Sequence, residues 1–223
     1  MKAVVFDRYG SVEELQYREI EKPIAKSNEL LVRVRASSVN PVDWKVRQGH
    51  VQLLSGFNFP KIVGSDISGV VVEVGRDVTK FQPGDEVYTF LNPMTGGACS
   101  EYCAVPESAA GIKPKNITHA EAAAVPIAGL TALQALRDLG EIKAVKKVLI
   151  NGASGGVGTF AVQIAKAMNA VVTGVCSAKN IEFVNNLGAD FVVDYAQIDF
   201  AQQTEKYDII LDAVNTKTFY ECE

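Results

Sequence analysis

Lys147-Val-Leu-Ile-Asn-Gly-Ala-Ser-Gly-Gly-Val-Gly158 is the stretch whose reading decides the fold. Its apolar run, Val148-Leu-Ile150, has the character of a strand and enters a glycine-rich turn. The turn opens a helix, Val157-Gly-Thr-Phe-Ala-Val-Gln-Ile-Ala-Lys-Ala-Met168. Strand, turn and helix in this order suit a dinucleotide pyrophosphate. The first N–H groups of a helix lack intrahelical partners and carry partial positive charge, so an anion can sit there. Glycine permits both the tight turn and the close approach of phosphate to backbone. The pattern Gly152-x-x-Gly155-x-x-Gly158 departs from the common G-x-G-x-x-G and puts Ser154 at the second glycine position. Structural turns use glycine too; the flanking strand and helix favour the nucleotide. Ser154, Gly155, Gly156, Val157 and Gly158 are therefore candidate cofactor-binding residues.

The second strand, Ala170-Val-Val-Thr-Gly-Val-Cys176, tells which dinucleotide. NAD-binding folds place a carboxylate at its end, about 20 residues past the glycines, on the ribose 2′-hydroxyl. Here Ser177, Ala178, Lys179 and Asn180 follow instead. A carboxylate repels a 2′-phosphate, whereas a hydroxyl and a lysine attract one. Ser177 and Lys179 thus point to NADP(H). Lysine is also common as a solvated surface residue, and that reading of Lys179 stays open. Tyr195 ends the run Phe191-Val-Val-Asp-Tyr195, where its hydroxyl either reaches the same phosphate or packs on its own loop.

The composition sets limits. The 223 residues suffice for one large or two modest domains. Hydrophobic residues make up 48% and charged residues 22%, as in an ordinary soluble globular protein. The net charge is −4 with no basic block, which disfavours nucleic acid and acidic membrane surfaces as partners. Met1-Lys-Ala-Val-Val-Phe-Asp7 reads as a first strand and not as a signal peptide. No apolar run approaches the roughly 20 residues that span a bilayer. The four cysteines, Cys99, Cys103, Cys176 and Cys222, are too sparse for a disulfide framework. They read as reduced thiols in a cytoplasmic protein.

The two halves differ in pattern. Residues 1–120 read as β-rich, with runs at Lys2–Phe6, Leu30–Ala36, Gly69–Val74, Glu86–Phe90 and Ser100–Val105. Turn signals separate them, among them Asn40-Pro41 and Gln82-Pro-Gly-Asp85. Residues 121–223 alternate helix and strand. A helical stretch at Glu121–Leu139 precedes the glycine turn. Helix 157–168, strand 170–176, helix 179–187, strand 191–194 and strand Tyr207–Asp212 follow. Such alternation predicts an α/β fold with a doubly wound parallel sheet.

With both halves in view, the chain resembles the medium-chain dehydrogenase/reductases, on the zinc-independent quinone oxidoreductase (enone/alkenal reductase) branch. The resemblance runs in order through five motifs. They are Asn40-Pro-Val-Asp43, Val63-Gly-Ser-Asp-Ile-Ser-Gly-Val-Val71, Phe81-Gln-Pro-Gly-Asp-Glu-Val87, Ala124-Val-Pro-Ile-Ala-Gly-Leu-Thr-Ala132 and the glycine turn. It implies a GroES-like β-barrel substrate domain over 1–120 and an NADP-binding Rossmann domain over 121–223. It implies NADPH-dependent reduction of a quinone or an α,β-unsaturated carbonyl, with the active site in the cleft between the domains. It places Asn40 near the nicotinamide as the catalytic residue, bonding either the cofactor carboxamide or the substrate oxygen. It places Thr131 near the cofactor, and Ala213 and Val214 along the nucleotide. The tyrosine that some relatives carry after the Asn-x-x-Asp segment is absent; Trp44, His50 and Val51 stand in that region, so the proton donor stays unassigned. Asp43 is either an orienting carboxylate or a loop cap.

The resemblance also bears on zinc. Zinc-dependent relatives have a cysteine at Asn40, and a histidine and a glutamate at Ser65 and Asp66. A catalytic zinc needs about three Cys, His or carboxylate ligands. The two histidines, His50 and His119, lie elsewhere. Cys99 and Cys103 alone cannot supply a structural zinc lobe, and core packing is the expectation for them. No metal is expected. Without zinc, an alcohol dehydrogenase reading recedes, because alkoxide formation wants a Lewis acid.

Family members continue with further strands and form homodimers, so the C-terminal part of this sheet is expected to be missing. The strand 148–150 is then expected to show an unpaired edge. A catalytically silent NADP(H)-binding or sensor protein of the same fold is the alternative reading.

Overall fold

A computed structural model describes residues 1–222 as two compact units, Met1–Ile127 and the segment from Ala128 onward. The first unit contains β1 (Lys2–Phe6), β2 (Gln16–Glu19), β3 (Glu29–Ser37), α1 (Pro41–Arg47), α2 (Gln52–Ser55), β4 (Lys61–Ile62), β5 (Asp66–Val74), β6 (Glu86–Phe90), β7 (Tyr102–Pro106), β8 (Ala110–Ile112) and α3 (His119–Ala123). An antiparallel sheet runs in the order β7-β3-β5-β6-β8, and a smaller one in the order β2-β1-β4. Backbone bonds join them: Val4 N–H donates to Cys99 O at 2.8 Å and Glu101 N–H to Lys2 O at 3.1 Å. The result is a curled, GroES-like sheet. Alternation on β3 buries Leu30 and Val32 against Ile67, Val71, Val87 and Val105, while Arg33 and Arg35 face solvent.

Sequence patterning misses several elements here. β2 and β8 are four and three residues long and lack a clear apolar alternation. Asn40-Pro41 is not a bare turn: Asn40 is the N-cap and Pro41 the first residue of α1. Proline suits that place, since its missing N–H is one that no helix could use. Cys99 lies outside β7, half-buried, whereas Cys103 is in β7 and buried.

The second unit contains most of α4 (Pro126–Gln134), then β9 (Lys147–Asn151), α5 (Gly156–Ala167), β10 (Val171–Cys176), α6 (Ile181–Asn186), β11 (Phe191–Asp194) and β12 (Ile209–Asp212). The expected single helix over Glu121–Leu139 is broken: α3 stops at Ala123, α4 starts at Pro126, and Ala135–Leu139 is a π-helical turn. Proline bars its predecessor from helical geometry, so the break falls just before it.

The sheet is parallel throughout, in the order β11-β10-β9-β12. This corrects the expectation of an exposed 148–150 edge. After β11 the chain crosses back over and lays β12 on the far side of β9, pairing Val148–Asn151 with Ile209–Asp212. The outer strand on that side is β12, whose four residues are all half-buried. Alternation along β9 feeds both faces. Val148 and Ile150 pack with Ala132 and Leu136 of the α4 region and Ala161, Val162 and Ala165 of α5. Leu149 packs oppositely, with Val175, Val193 and Phe200. Among the described residues no helix is long and apolar enough to cross a membrane.

Candidate cofactor and active site

In the second unit the strand order reverses at β9, with β10 on one side and β12 on the other. Ligands of open α/β sheets bind outside the carboxyl ends of the strands at such a point. The glycine turn lies there. Gly152 adopts φ +80°, a left-handed conformation that favours glycine. A side chain on Gly158 would put its Cβ 2.1 Å from Gly152 O, so only glycine lets α5 approach the turn. A Cβ on Gly156 would meet nothing within 4 Å, leaving open space beside the helix start. Thr159 N–H donates to Gly155 O at 2.9 Å as the first helical bond of α5. The amides of Gly156, Val157 and Gly158 precede it and have no helical acceptor. These features fit a pyrophosphate.

The other sequence-derived residues of this unit gather at the same sheet end. Ser177 and Lys179 follow β10, and Lys179 is exposed on a short 3-10 turn, Ala178–Asn180, before α6. Tyr195 follows β11; its N–H donates to Cys176 O at 3.1 Å, which holds it beside Ser177, and its side chain is 62% exposed. Ala213 and Val214 follow β12, and Ala213 N–H donates to Asn151 O at 3.1 Å. A Cβ on Gly152 would lie 2.4 Å from Val214 Cγ2, so Val214 sits directly against the turn. Thr131 is exposed on α4, next to the buried Ala132.

Three residues that pattern reading passed over organise this end. Asn180 Nδ2 donates to Ser154 Oγ at 2.9 Å and to Ser177 Oγ at 3.3 Å, linking two loops. Asn151 Nδ2 donates to Asp212 Oδ1 at 3.0 Å and to Thr216 Oγ1 at 2.9 Å. Asp212 in turn accepts the backbone N–H groups of Val214, Asn215, Thr216 and Lys217. Burial opposes its charge, but those four donors outweigh burial and hold its carboxyl below the ordinary range. Polar residues at strand ends were the available signal.

In the first unit, Asn40 joins a buried polar network. Asn40 Nδ2 donates to Asp66 Oδ2 at 3.0 Å and to Ser38 Oγ at 3.1 Å. Ser38 Oγ donates to Asp66 Oδ2 at 3.1 Å, and Ile127 N–H to Asp66 Oδ1 at 3.2 Å. Asn40 N–H donates to Asp43 Oδ2 at 2.7 Å, closing the first turn of α1, and Ser65 Oγ donates to Asp43 Oδ1 at 3.0 Å. Burial raises the pKa of both carboxyls, with their hydrogen bonds opposing it. Trp44 and His50 meet edge to face at 5.5 Å nearby in sequence. Among the described residues no group of three His, Cys, Asp or Glu side chains is placed to hold a metal.

Two family models match the chain. The alcohol dehydrogenase GroES-like domain matches residues 26–134, and the zinc-binding dehydrogenase model matches residues 156–222. The chloroplastic quinone-oxidoreductase homolog of Spinacia oleracea is 41% identical over 221 residues, covering 95% of this chain and 67% of that protein. The chain belongs to the medium-chain dehydrogenase/reductases, on the quinone oxidoreductase branch. The mitochondrial NAD(P)H oxidoreductase RTN4IP1 of Homo sapiens is 42% identical over 240 residues, with 98% of this chain and 60% of that protein covered. Among solved structures, the quinone oxidoreductase from Coxiella burnetii superposes with a TM-score of 0.89 at 35% identity, covering 96% of this chain and 68% of that one. This medium-chain dehydrogenase/reductase is an oxidoreductase of the nicotinamide-dependent kind.

The zinc-ligand positions that the resemblance assigns lie in the first family match, at Asn40, Ser65 and Asp66. Asn40, Ser65 and Asp66 offer an amide, a hydroxyl and one carboxylate, each bonded within the chain. That donor set falls short of what a catalytic zinc takes.

Proposed function

We propose that this chain is an NADPH-dependent reductase passing hydride to a quinone or an α,β-unsaturated carbonyl without zinc. The observation that carries the reading is the end of β10. Ser177, Ala178, Lys179 and Asn180 follow it in sequence with no carboxylate among them, and Asn180 ties them to the glycine turn proposed for the pyrophosphate.

Each chain group has a stated task. The amides of Gly156, Val157 and Gly158, with Ser154 and Gly155, hold the pyrophosphate. Ser177, Lys179 and Tyr195 hold the 2′-phosphate, Lys179 as its cation. Thr131, Ala213 and Val214 border the nucleotide. Asn40 orients the nicotinamide carboxamide or the substrate. Bound NADPH supplies a hydride, and a conjugated acceptor needs no Lewis acid to take it. The chain contributes orientation and exclusion of water. Water is the proposed proton source, and no side chain is assigned as the donor.

We further propose residues 1–120 as the substrate domain and 121–223 as the cofactor domain. The protein is proposed as a homodimer, testable by solution mass measurement. The four unpaired thiols suit a reducing, cytoplasmic compartment.

The test is NADPH consumption with a simple quinone and with a simple enone, with and without a zinc chelator. Turnover unchanged by the chelator is expected. Turnover lost to the chelator and restored by zinc overturns the zinc-free mechanism. Tight NADPH binding without turnover supports the silent, sensor-like alternative.

A further inference from the structure

Asp66 is fully buried at the start of β5, and among the described residues no lysine or arginine pairs with it. Its carboxylate is held by neutral donors alone: Ser38 Oγ–H, one Asn40 Nδ2–H and the Ile127 N–H. A buried charge without a cation is costly, and an apolar or amide side chain would fill the place more cheaply. What the carboxylate does supply is direction. A carboxylate only accepts, so the group facing it must donate.

The consequence falls on Asn40. One Nδ2 proton goes to Asp66 Oδ2 at 3.0 Å. The other goes to Ser38 Oγ at 3.1 Å, whose own proton is spent on Asp66. Both amide protons of Asn40 are therefore committed inside the chain. Among the described residues the remaining polar side-chain atom is Oδ1, which faces the Asp43 N–H in the capping box and keeps a second lone pair for a ligand; it accepts and cannot donate.

We propose that Asp66, with Ser38, is a positioning residue that sets the polarity of Asn40, so that Asn40 serves the reaction as a hydrogen-bond acceptor. Its ligand is then an N–H or O–H donor: the carboxamide NH2 of the nicotinamide, or the hydroxyl of the reduced product. It is not the donor that stabilises a developing oxyanion. This rests on the reading that Asn40 serves the nicotinamide site, and it decides between the two roles open to that residue.

The test compares NADP+ with its 3-acetylpyridine analogue, in which a methyl ketone replaces the carboxamide and cannot donate. The wild-type chain should bind NADP+ about 3- to 10-fold more tightly than the analogue, the range of one neutral hydrogen bond. Asp66→Asn frees the Asn40 amide to turn, and the ratio should fall towards one. The double exchange Asn40→Asp with Asp66→Asn restores an inward donor and an outward acceptor, and the ratio should return. A simple loss of structure would not be repaired by the exchange, and thermal unfolding of each variant checks this.

If the wild type shows no discrimination but Asp66→Asn weakens product inhibition by a hydroquinone, the acceptor role holds and its donor is the product hydroxyl. If the wild type discriminates and the ratio is unchanged in Asp66→Asn or is not restored by the exchange, or if the wild type shows neither discrimination nor the hydroquinone effect, the proposal is overturned while the reductase reading stands. If the wild-type chain binds neither nucleotide, the functional reading fails and this one fails with it.

Discussion

Asn180 Nδ2 donates to Ser154 Oγ at 2.9 Å, so a residue beyond β10 holds the glycine turn beyond β9. The same amide reaches Ser177 Oγ at 3.3 Å. One side chain thus joins the glycine turn, proposed for the pyrophosphate, to the loop after β10, proposed for the 2′-phosphate. Asn180→Ala should weaken NADPH and NADH by a similar factor, about 3- to 10-fold, the value of one hydrogen bond. Parallel titrations check this; a loss confined to NADPH would make Asn180 a phosphate ligand in its own right.

Lys179→Ala should behave differently. The side chain is exposed and forms no ion pair among the described residues. Its proposed partner is the 2′-phosphate alone. NADPH should weaken about tenfold at low salt, with NADH nearly unaffected, and the difference should shrink as salt screens the pair. Equal losses for both cofactors would remove Lys179 from the phosphate site.

Gly158→Ala tests the packing of α5. The new methyl would sit 2.1 Å from Gly152 O and 2.8 Å from Ala153 Cα, both backbone atoms that cannot step aside. A cost of about 1–3 kcal/mol is expected, read as a lowered unfolding temperature together with weaker nucleotide binding. An unchanged melting curve would show that the close approach of helix and turn is not needed.

Asp43→Asn gives a pH signature. Burial raises the folded-state pKa of Asp43, with the Asn40 and Ser65 hydrogen bonds opposing the shift. For a carboxyl shifted upward, the stability it contributes is complete below its unfolded value and is lost as pH rises through the folded one. The unfolding temperature of Asp43→Asn, taken relative to wild type, should therefore rise as pH increases from below the ordinary carboxylate range to neutrality. A difference that falls over that interval would mean the site stabilises the ionised form.

Much of this was legible because it rests on local rules. β9, the turn and α5 follow from an apolar run, glycines and a helical run within 22 residues of sequence, 147–168. The strands β3, β5 and β6 carry enough apolar residues to show themselves. What stayed hidden depends on partners distant in the chain. β4 has two residues and exists because β1 lies beside it. The pairing of β12 with β9 joins segments about 60 residues apart, and nothing in Ile209–Asp212 says which side of the sheet it takes. The polar networks are hidden for the same reason. Asn40 and Asp66 are 26 residues apart, and Asn151 and Asp212 are 61 apart. Asn40 is legible through resemblance, but the bonding of its amide to Ser38 and Asp66 is visible only in the folded chain.

The central claim is that the loops at the end of this parallel sheet are built for NADPH. The direct measurement is a titration of the 223-residue chain with NADPH and, separately, with NADH, followed by nicotinamide fluorescence. The account predicts saturable binding of both, with NADPH about tenfold tighter or more at low salt. Equal affinities, tighter binding of NADH, or no binding of either would contradict it.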